Sequence, residues 1–234
     1  VKHWPEIKNP QQYAGKELFI GSVTDPYNPY EETFERTRAL LMQLQGSGAR
    51  ISIATKSDLV VRDLDLIRTF PEARVSWSIN TLNPNFQQDM DNAVSVERRL
   101  AAMKTFHQAG IRTTCFISPI FPGITDVEEI IRQAKGNLIW LENLNLRGGY
   151  KTIIMNYIKE KYPSLLRLYH DIYTVKNRNY WETLDATLKA WTAEIGLDYV
   201  TNDDSMTRPF EAYPVVVNYF YHEQIKKRTK KDKF

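Results

Sequence analysis

Short β-type runs alternate with helix-period segments through residues 18–144, and this alternation constrains the fold more than any other feature of the chain. The runs are LFIGSV (18–23), RISIAT (50–55), RVSWSI (74–79), RTTCFI (112–117) and LIWLENL (138–144), with a weaker LDYV at 197–200. The segments between the first five carry helix signals of their own. Asn28 stands where it would cap a helix opened by Pro29, and Glu31 and Glu32 complement that helix's dipole. Phe34, Leu41 and Leu44 then recur on one face until Gly46-Ser47-Gly48 stops it. Ser95 precedes VERRLAAMKTFHQAG, and Thr125 with Glu128 forms a capping-box pattern before VEEIIRQAKG. Strand, helix, strand at this spacing predicts parallel strands joined by right-handed crossovers, hence an α/β fold.

An open doubly wound sheet and a barrel both satisfy that pattern, and the strand faces help to separate them. In ISIATK, Ser52, Ala54 and Lys56 share one face against Ile51 and Ile53; in VSWSIN, Ser76, Ser78 and Asn80 oppose Val75, Trp77 and Ile79. A polar face on strands covered by helices implies an interior other than a packed apolar core. A complete TIM barrel fills its centre with bulky branched side chains, whereas small polar ones leave a cavity. The expectation is an open or partial α/β barrel with a ligand in its lumen. Beyond Asn145 the pattern turns helical, in YKTIIMNYIKEKY, PSLLRLYHDIY and NYWETLDATLKAWTAEIG. Trp181, Leu184, Leu188, Trp191 and Ile195 keep an apolar stripe there, expected to pack on the barrel. The predicted division is a barrel over 1–146 and a helical extension with a basic tail over 147–234.

At 234 residues, 42% hydrophobic and 25% charged, the chain has enough apolar material for a sizeable core and is a poor fit to disordered or fibrous classes. Its net charge of +3 is uneven. The final KKRTKKDKF carries +5, so the remainder carries about −2, and the basic signal is a tail. Cys115 is the sole cysteine, which excludes an intrachain disulfide and suits a reducing, cytoplasmic setting. No apolar run approaches the roughly 18 residues that span a bilayer, and VKHWPEIKNP lacks the character of a signal peptide. The reading is a soluble protein with no membrane partner.

Function in parallel α/β folds lies at the carboxyl ends of the strands. Along that edge stand Thr24 and Asp25, Lys56, Asn80, Ser118 and Pro119, then Asn143 and Asn145, with Glu142 inside the fifth run. Carboxylates, one amine and several hydroxyls and amides suit an amino-acid-like zwitterion. Thr-Asp before a helix also serves as ordinary loop and cap chemistry. Ser78 and Asn80 within a strand need partners if buried. Glu142, flanked by Trp140 and Leu141, reads equally as a structural ion pair or a ligand contact. Arg98 and Arg99 oppose the dipole of their helix, so one of them is expected to be held by a buried acid or a bound carboxylate. The histidines His3, His107, His170 and His222 show no metal-ligand spacing and read as structural or surface residues. Cys115, inside a strand, reads as an inert buried thiol.

In succession, GSVTDPYNPYEETFERTRALL, SIATKSDLVVRDLDLI, VSWSINTL, VERRLAAMKTFHQAGI and CFISPIFPGITD resemble the radical S-adenosylmethionine proteins related to spore photoproduct lyase, often labelled DNA repair photolyases. The resemblance covers residues 17–145. It implies a partial (β/α)6 TIM-like barrel, lacking its first strand, that holds S-adenosylmethionine and a 4Fe-4S cluster at its mouth. By that resemblance Lys56 and Ser78 hold the methionine carboxylate, and Thr24 and Asp25 lie beside the amino group. Asn80 and Arg99 fall where further polar contacts to the cofactor are expected, and the SPIFPG turn with Ser118 and Pro119 lies near the adenine. Ser22 roughly matches the place where the lyase keeps a cysteine hydrogen donor, so the resemblance does not carry the lyase's own reaction over to this chain.

The family also carries Cys-x3-Cys-x2-Cys after its first strand, since three irons need thiolate ligands. Those ligands are absent here, so no metal-binding residue is assigned, and the first strand and cluster loop are expected to precede Val1. The chain by itself is then expected to be unable to generate a deoxyadenosyl radical. Two other function classes stay open. One is a cluster-free barrel enzyme in which Lys56 forms a Schiff base with a carbonyl substrate, a state that borohydride would trap. The other is a nucleic-acid binder using the Lys226–Lys233 tail with Tyr219, Phe220 and Tyr221, whose affinity would fall steeply with salt.

Overall fold

The computed structural model describes residues 6–134, 138–201 and 215–219. Its described residues form two compact units, one drawn from Val1–Phe116 and Glu129–Ile139, the other from Ile117–Glu128 and Trp140–Phe234. The first carries strands β1 (Glu17–Ile20), β2 (Arg50–Thr55), β3 (Ala73–Ser78) and the start of β4 (Arg112–Ile120). Its helices are α1 (Glu31–Phe34), α2 (Arg36–Leu44), α3 (Leu64–Ile67), α4 (Pro84–Met90) and α5 (Val96–Gln108). Helix α6 (Val127–Gln133) bridges the division of the chain; β5 (Leu138–Asn143) follows it. The second unit adds α7 (Gly148–Lys161), α8 (Leu166–Tyr173), α9 (Asn179–Glu194), β6 (Tyr199–Thr201) and β7 (Val215–Tyr219).

In the first unit the strands run parallel in the order β1-β2-β3-β4, with Ile20 opposite Ile53, Ile53 opposite Val75 and Trp77 opposite Cys115. The α/β expectation therefore holds, and the repeated β/α succession is that of a partial TIM-like barrel. The split between strand faces holds as well. Ile51, Ile53, Val75, Trp77 and Cys115 are buried, and Trp77 meets Phe106 of α5 edge to face at 5.4 Å between ring centroids. On the opposite face the register sets Ala54, Ser76 and Thr114 in one row, with Ser78 beside Phe116 in the next.

Three local expectations change. The first helix opens at Glu31, not Pro29; the Asn28 side chain instead accepts from Tyr30 N at 3.0 Å and donates to Asp25 O, closing the turn ahead of it. That helix also breaks at Glu35, whose φ of 46° lies in the left-handed region, so α2 starts afresh. Glu31 makes the break workable: its buried carboxylate accepts from Thr37 N at 2.9 Å and Arg38 N at 3.1 Å, capping α2 from six residues upstream. The interruption takes Phe34 out of the stripe that buries Leu41 and Leu44, and Phe34 is exposed. Strand β4 extends through Ser118 and Pro119 instead of ending before them.

The three helices read beyond Asn145 are present, and Ser95 caps α5 by accepting from Arg98 N. In α9, Trp181 and Leu188 are buried within the second unit while Ile195, at the helix end, is exposed. The weak LDYV run forms β6, and VVVNY forms an additional strand, β7, parallel to it; the order in this unit is β4-β5-β7-β6. Tyr199 donates to Asp185 at 2.7 Å and so joins β6 to α9.

Strand β1 stops at Gly21 because only glycine fits there. Its φ is 106°, and a Cβ would collide with the Ala54 carbonyl oxygen of the neighbouring chain segment. Gly21→Ala should lower unfolding free energy by about 2 kcal/mol or more, through strain and overpacking together. Urea unfolding curves would show this, and an unchanged midpoint would refute the close approach.

Candidate cofactor-binding face

Asp25 is the organising side chain at the carboxyl end of β1. Its Oδ1 accepts from the Thr55 hydroxyl at 2.7 Å and Tyr27 N at 2.9 Å, and its Oδ2 accepts from Lys56 N at 2.6 Å. The carboxylate thus clamps the loop after β1 to the end of β2, and the Thr-Asp pair ends its strand for that reason. Thr24 is exposed, as is Ser22.

Lys56 leaves the end of β2 with its side chain 39% exposed and donates to Asp91 Oδ2 at 2.9 Å. Asp91 lies just past α4. Its other oxygen accepts from Arg99 Nη2 at 2.8 Å, Ala93 N at 3.1 Å and Gln87 Nε2 at 3.2 Å. Arg99 is wholly buried; its Nε donates to Val94 O at 2.9 Å and its Nη1 to Ser78 O at 3.0 Å. Both arginines that oppose the α5 dipole are held by acids, since Arg98 forms a two-pronged pair with Asp58. Ser78 is half-buried, and its hydroxyl has no hydrogen-bond partner among the described residues; Asn80 is buried. On the same face the Thr114 hydroxyl is buried without a partner among the described residues, a position that a ligand or an ordered water satisfies.

Behind this face, Asp63 is buried and accepts from Arg38, Arg62 and the Tyr27 hydroxyl, while Arg62 also donates to Glu31 at 2.9 Å. Burial pushes the Asp63 carboxyl up, but the two guanidinium groups outweigh it and hold it below the usual carboxylate range. Burial, and then the Asp63 charge, push the Tyr27 phenol far up. This network fixes the backbone on which Asp25 sits, helped by the Thr37 hydroxyl donating to Pro26 O at 2.6 Å.

In the second unit the structure pairs two further candidates. The Ser118 hydroxyl donates to Glu142 Oε2 at 2.9 Å, and Pro119 follows on the same strand end. The turn beyond packs on the helices of that unit: Gly123 N donates to the Tyr180 hydroxyl at 3.1 Å, and Leu165 lies against Gly123.

The outer flank of β1 is open, with a groove of about 490 Å³ lined by Phe19, Thr24, Asp25, Tyr30, Phe34 and Arg36. Among the described residues β1 pairs with β2 alone, and Phe19 and Tyr30 are 56% and 74% exposed. The residues present do not fit a 4Fe-4S cluster. Cys115 is fully buried, burial pushes its thiol up to about 12, and no group of three or more His, Cys, Asp or Glu side chains is placed to hold a metal among the described residues. His170 is surface-exposed, while His3 and His222 lie outside the described residues. So do the Lys226–Lys233 tail, Phe220 and Tyr221; of Tyr219 only the backbone is described. No helix among the described residues is long and apolar enough to cross a membrane.

Sequence reasoning missed Asp91 and Asp63. Neither shares a spacing pattern with its partners; the opposed dipole of α5 was the only signal, and it pointed to an acid without naming it. Burial pushes the Asp91 carboxyl up from an ordinary 3.8, but hydrogen bonds from Lys56 and Arg99, with their charges, bring it down to about 2. Because the folded value is depressed, its stabilisation is in full force above about pH 4 and is lost as pH falls toward 2. Asp91→Asn should therefore cost about 2 kcal/mol near neutrality, and this difference from the wild type should vanish as pH falls. Urea unfolding at pH 6 and pH 2.5 would read it; a gap constant with pH would remove the charge pair as its cause.

Comparison with known proteins gives this geometry a family. An uncharacterized protein of Methanocaldococcus jannaschii is 37% identical over 68% of this chain and 61% of its own length. An uncharacterized protein of Mycobacterium tuberculosis is 26% identical over 72% of this chain and 52% of its own. The chain thus spans about half to three fifths of the length of these curated relatives. Among solved structures, a spore photoproduct lyase mutant with bound AdoMet and dinucleoside spore photoproduct is similar over 68% of this chain and 58% of that one, at 16% identity and a TM-score of 0.49. The Radical SAM superfamily matches residues 6–134, more than half of the sequence, and this chain belongs to that superfamily.

Proposed function

We propose that the polar face bearing Lys56, Ser78 and Thr114 binds S-adenosylmethionine, in a radical enzyme related to spore photoproduct lyase whose cluster ligands come from a segment outside residues 1–234. The observation that carries this reading is the Lys56 ammonium, half-exposed at the carboxyl end of a parallel strand, where Lys56 and Ser78 each follow the paired residues Thr55 and Trp77 and the Ser78 hydroxyl has no hydrogen bond among the described residues. An ammonium and a hydroxyl together suit a carboxylate. Asp25, fixed by three donors on the adjoining strand end, supplies the negative charge that a ligand ammonium requires. The orphaned Thr114 hydroxyl offers a further polar contact on the same face.

When bound and given an electron, S-adenosylmethionine supplies a carbon-centred radical for hydrogen abstraction. The chain's own residues do the binding. Lys56 and Ser78 would grip the carboxylate, and the Asp25 clamp keeps the two strand ends in register while the buried Trp77 side closes the face from behind. Asn80 is assigned a further polar contact to the cofactor by resemblance, whereas Arg99, wholly buried with each nitrogen donating to a protein oxygen, supports the face from within. The open flank of β1, with its exposed apolar side chains, suits a preceding strand that carries the cluster loop. The lone buried thiol fits a reducing, cytoplasmic setting. A Schiff-base role for Lys56 is less well served, since an ammonium held on Asp91 is a poor nucleophile.

Isothermal titration of the 234-residue chain with S-adenosylmethionine tests the binding. The wild type should bind, and Lys56→Met should weaken affinity by about tenfold or more, the worth of a charged hydrogen bond. Equal affinity of the two proteins would remove Lys56 from the site. Anaerobic reconstitution with iron and sulfide should yield neither a stable 4Fe-4S cluster nor cofactor cleavage in this chain, and formation of both would overturn the assignment of the cluster ligands elsewhere.

A further inference from the structure

We propose that Asp91 is a positioning residue that aims the Lys56 ammonium at the carboxylate of the bound ligand, with the buried Arg99 as its anchor. This deepens the cofactor reading above and rests on it. Asp91 Oδ1 is immobilised by three donors, Arg99 Nη2, Ala93 N and Gln87 Nε2, which leaves Oδ2 pointing at Lys56 Nζ, 2.9 Å away. Arg99 has no exposed surface, and each of its nitrogens already donates to a protein oxygen. It therefore acts through Asp91 and not by touching the ligand.

One of those Arg99 donations goes to the carbonyl of Ser78, the other residue assigned to the carboxylate. A single chain of contacts, Ser78 to Arg99 to Asp91 to Lys56, thus sets the lysine on β2 relative to the serine on β3. Geometry leaves Lys56 able to serve. An ammonium has three N–H donors, one of which goes to Asp91, and the side chain remains 39% exposed for the others. Charge is matched as well, since two cations against one carboxylate leave one positive charge for one incoming carboxylate. A long lysine free in solvent would have to be ordered on binding; here it is ordered beforehand.

The test pairs S-adenosylmethionine with decarboxylated S-adenosylmethionine, which lacks only the carboxylate, in calorimetric titrations of the full 234-residue chain. Asp91→Asn should weaken binding of the first by about tenfold and leave the second within about twofold. The Asp91→Asn and Lys56→Met double variant should bind S-adenosylmethionine no more weakly than Lys56→Met alone, as coupled residues do. Equal losses for both ligands would mark Asp91 as merely structural, and no loss for either, or full additivity with Lys56→Met, would also overturn the proposal. Should Asp91→Asn fail to fold, Asp91→Glu keeps a counterion for Arg99 but displaces it from Lys56. Its loss should again be confined to the ligand with the carboxylate, and an unselective or absent loss overturns the role. A wild type that bound neither compound would sink the cofactor reading itself, and this inference with it. A wild type that bound both in the expected order, with an unselective variant, would sink the positioning role alone.

Discussion

The candidate site depends first on the Asp25 clamp. A carboxylate at the end of β1 accepts from the side chain of Thr55, the backbone of Lys56 and the backbone of Tyr27, so two neighbouring strand ends and the loop between β1 and α1 move as one body. Backbone donors at strand ends have no ladder partner, and a charged acceptor satisfies them more strongly than water would in a half-buried place. Lys56 consequently emerges at a fixed point on the edge, and every further contact of its ammonium builds on that point.

Two charge networks surround this clamp and differ in purpose. The network of Asp63, Arg38, Arg62, Glu31 and Tyr27 is closed, each of its charged groups being satisfied within the protein. Buried ions cost much unless every partner is present, so such a network specifies one loop geometry more than it adds stability. The chain from Ser78 through Arg99 and Asp91 to Lys56 is open at one end, where the ammonium keeps donors facing outward. An ordered site for an anionic group is built in that way, with rigidity behind and unspent hydrogen bonds in front.

Much of the fold was legible because it rests on short-range patterning. RISIAT was read at 50–55 and forms β2 over those same residues, since alternation of β-branched and small side chains leaves only one register that buries the isoleucines. Ser95 capping α5 is equally local. The break at Glu35 escaped because its cause is a carboxylate folding forward onto amides of the next helix, which no periodicity reports. Strand β7 escaped because the sequence between LDYV and VVVNY carries no helix-period segment, so the crossover signal that marked the earlier strands is missing.

The sequence by itself determined the parallel α/β alternation, the apolar and polar faces of β2 and β3, the family and the edge positions of Asp25, Lys56 and Ser78, all properties of residues near one another in the chain. Only the tertiary structure decided which acid answers each cation. Asp91 meets Lys56 across thirty-five positions and Asp63 meets Arg38 across twenty-five, and such pairings follow from how crossovers return the chain to neighbouring strand ends. A Coulombic partner is chosen by distance in space, and residue spacing carries no record of that distance once the chain has turned back on itself.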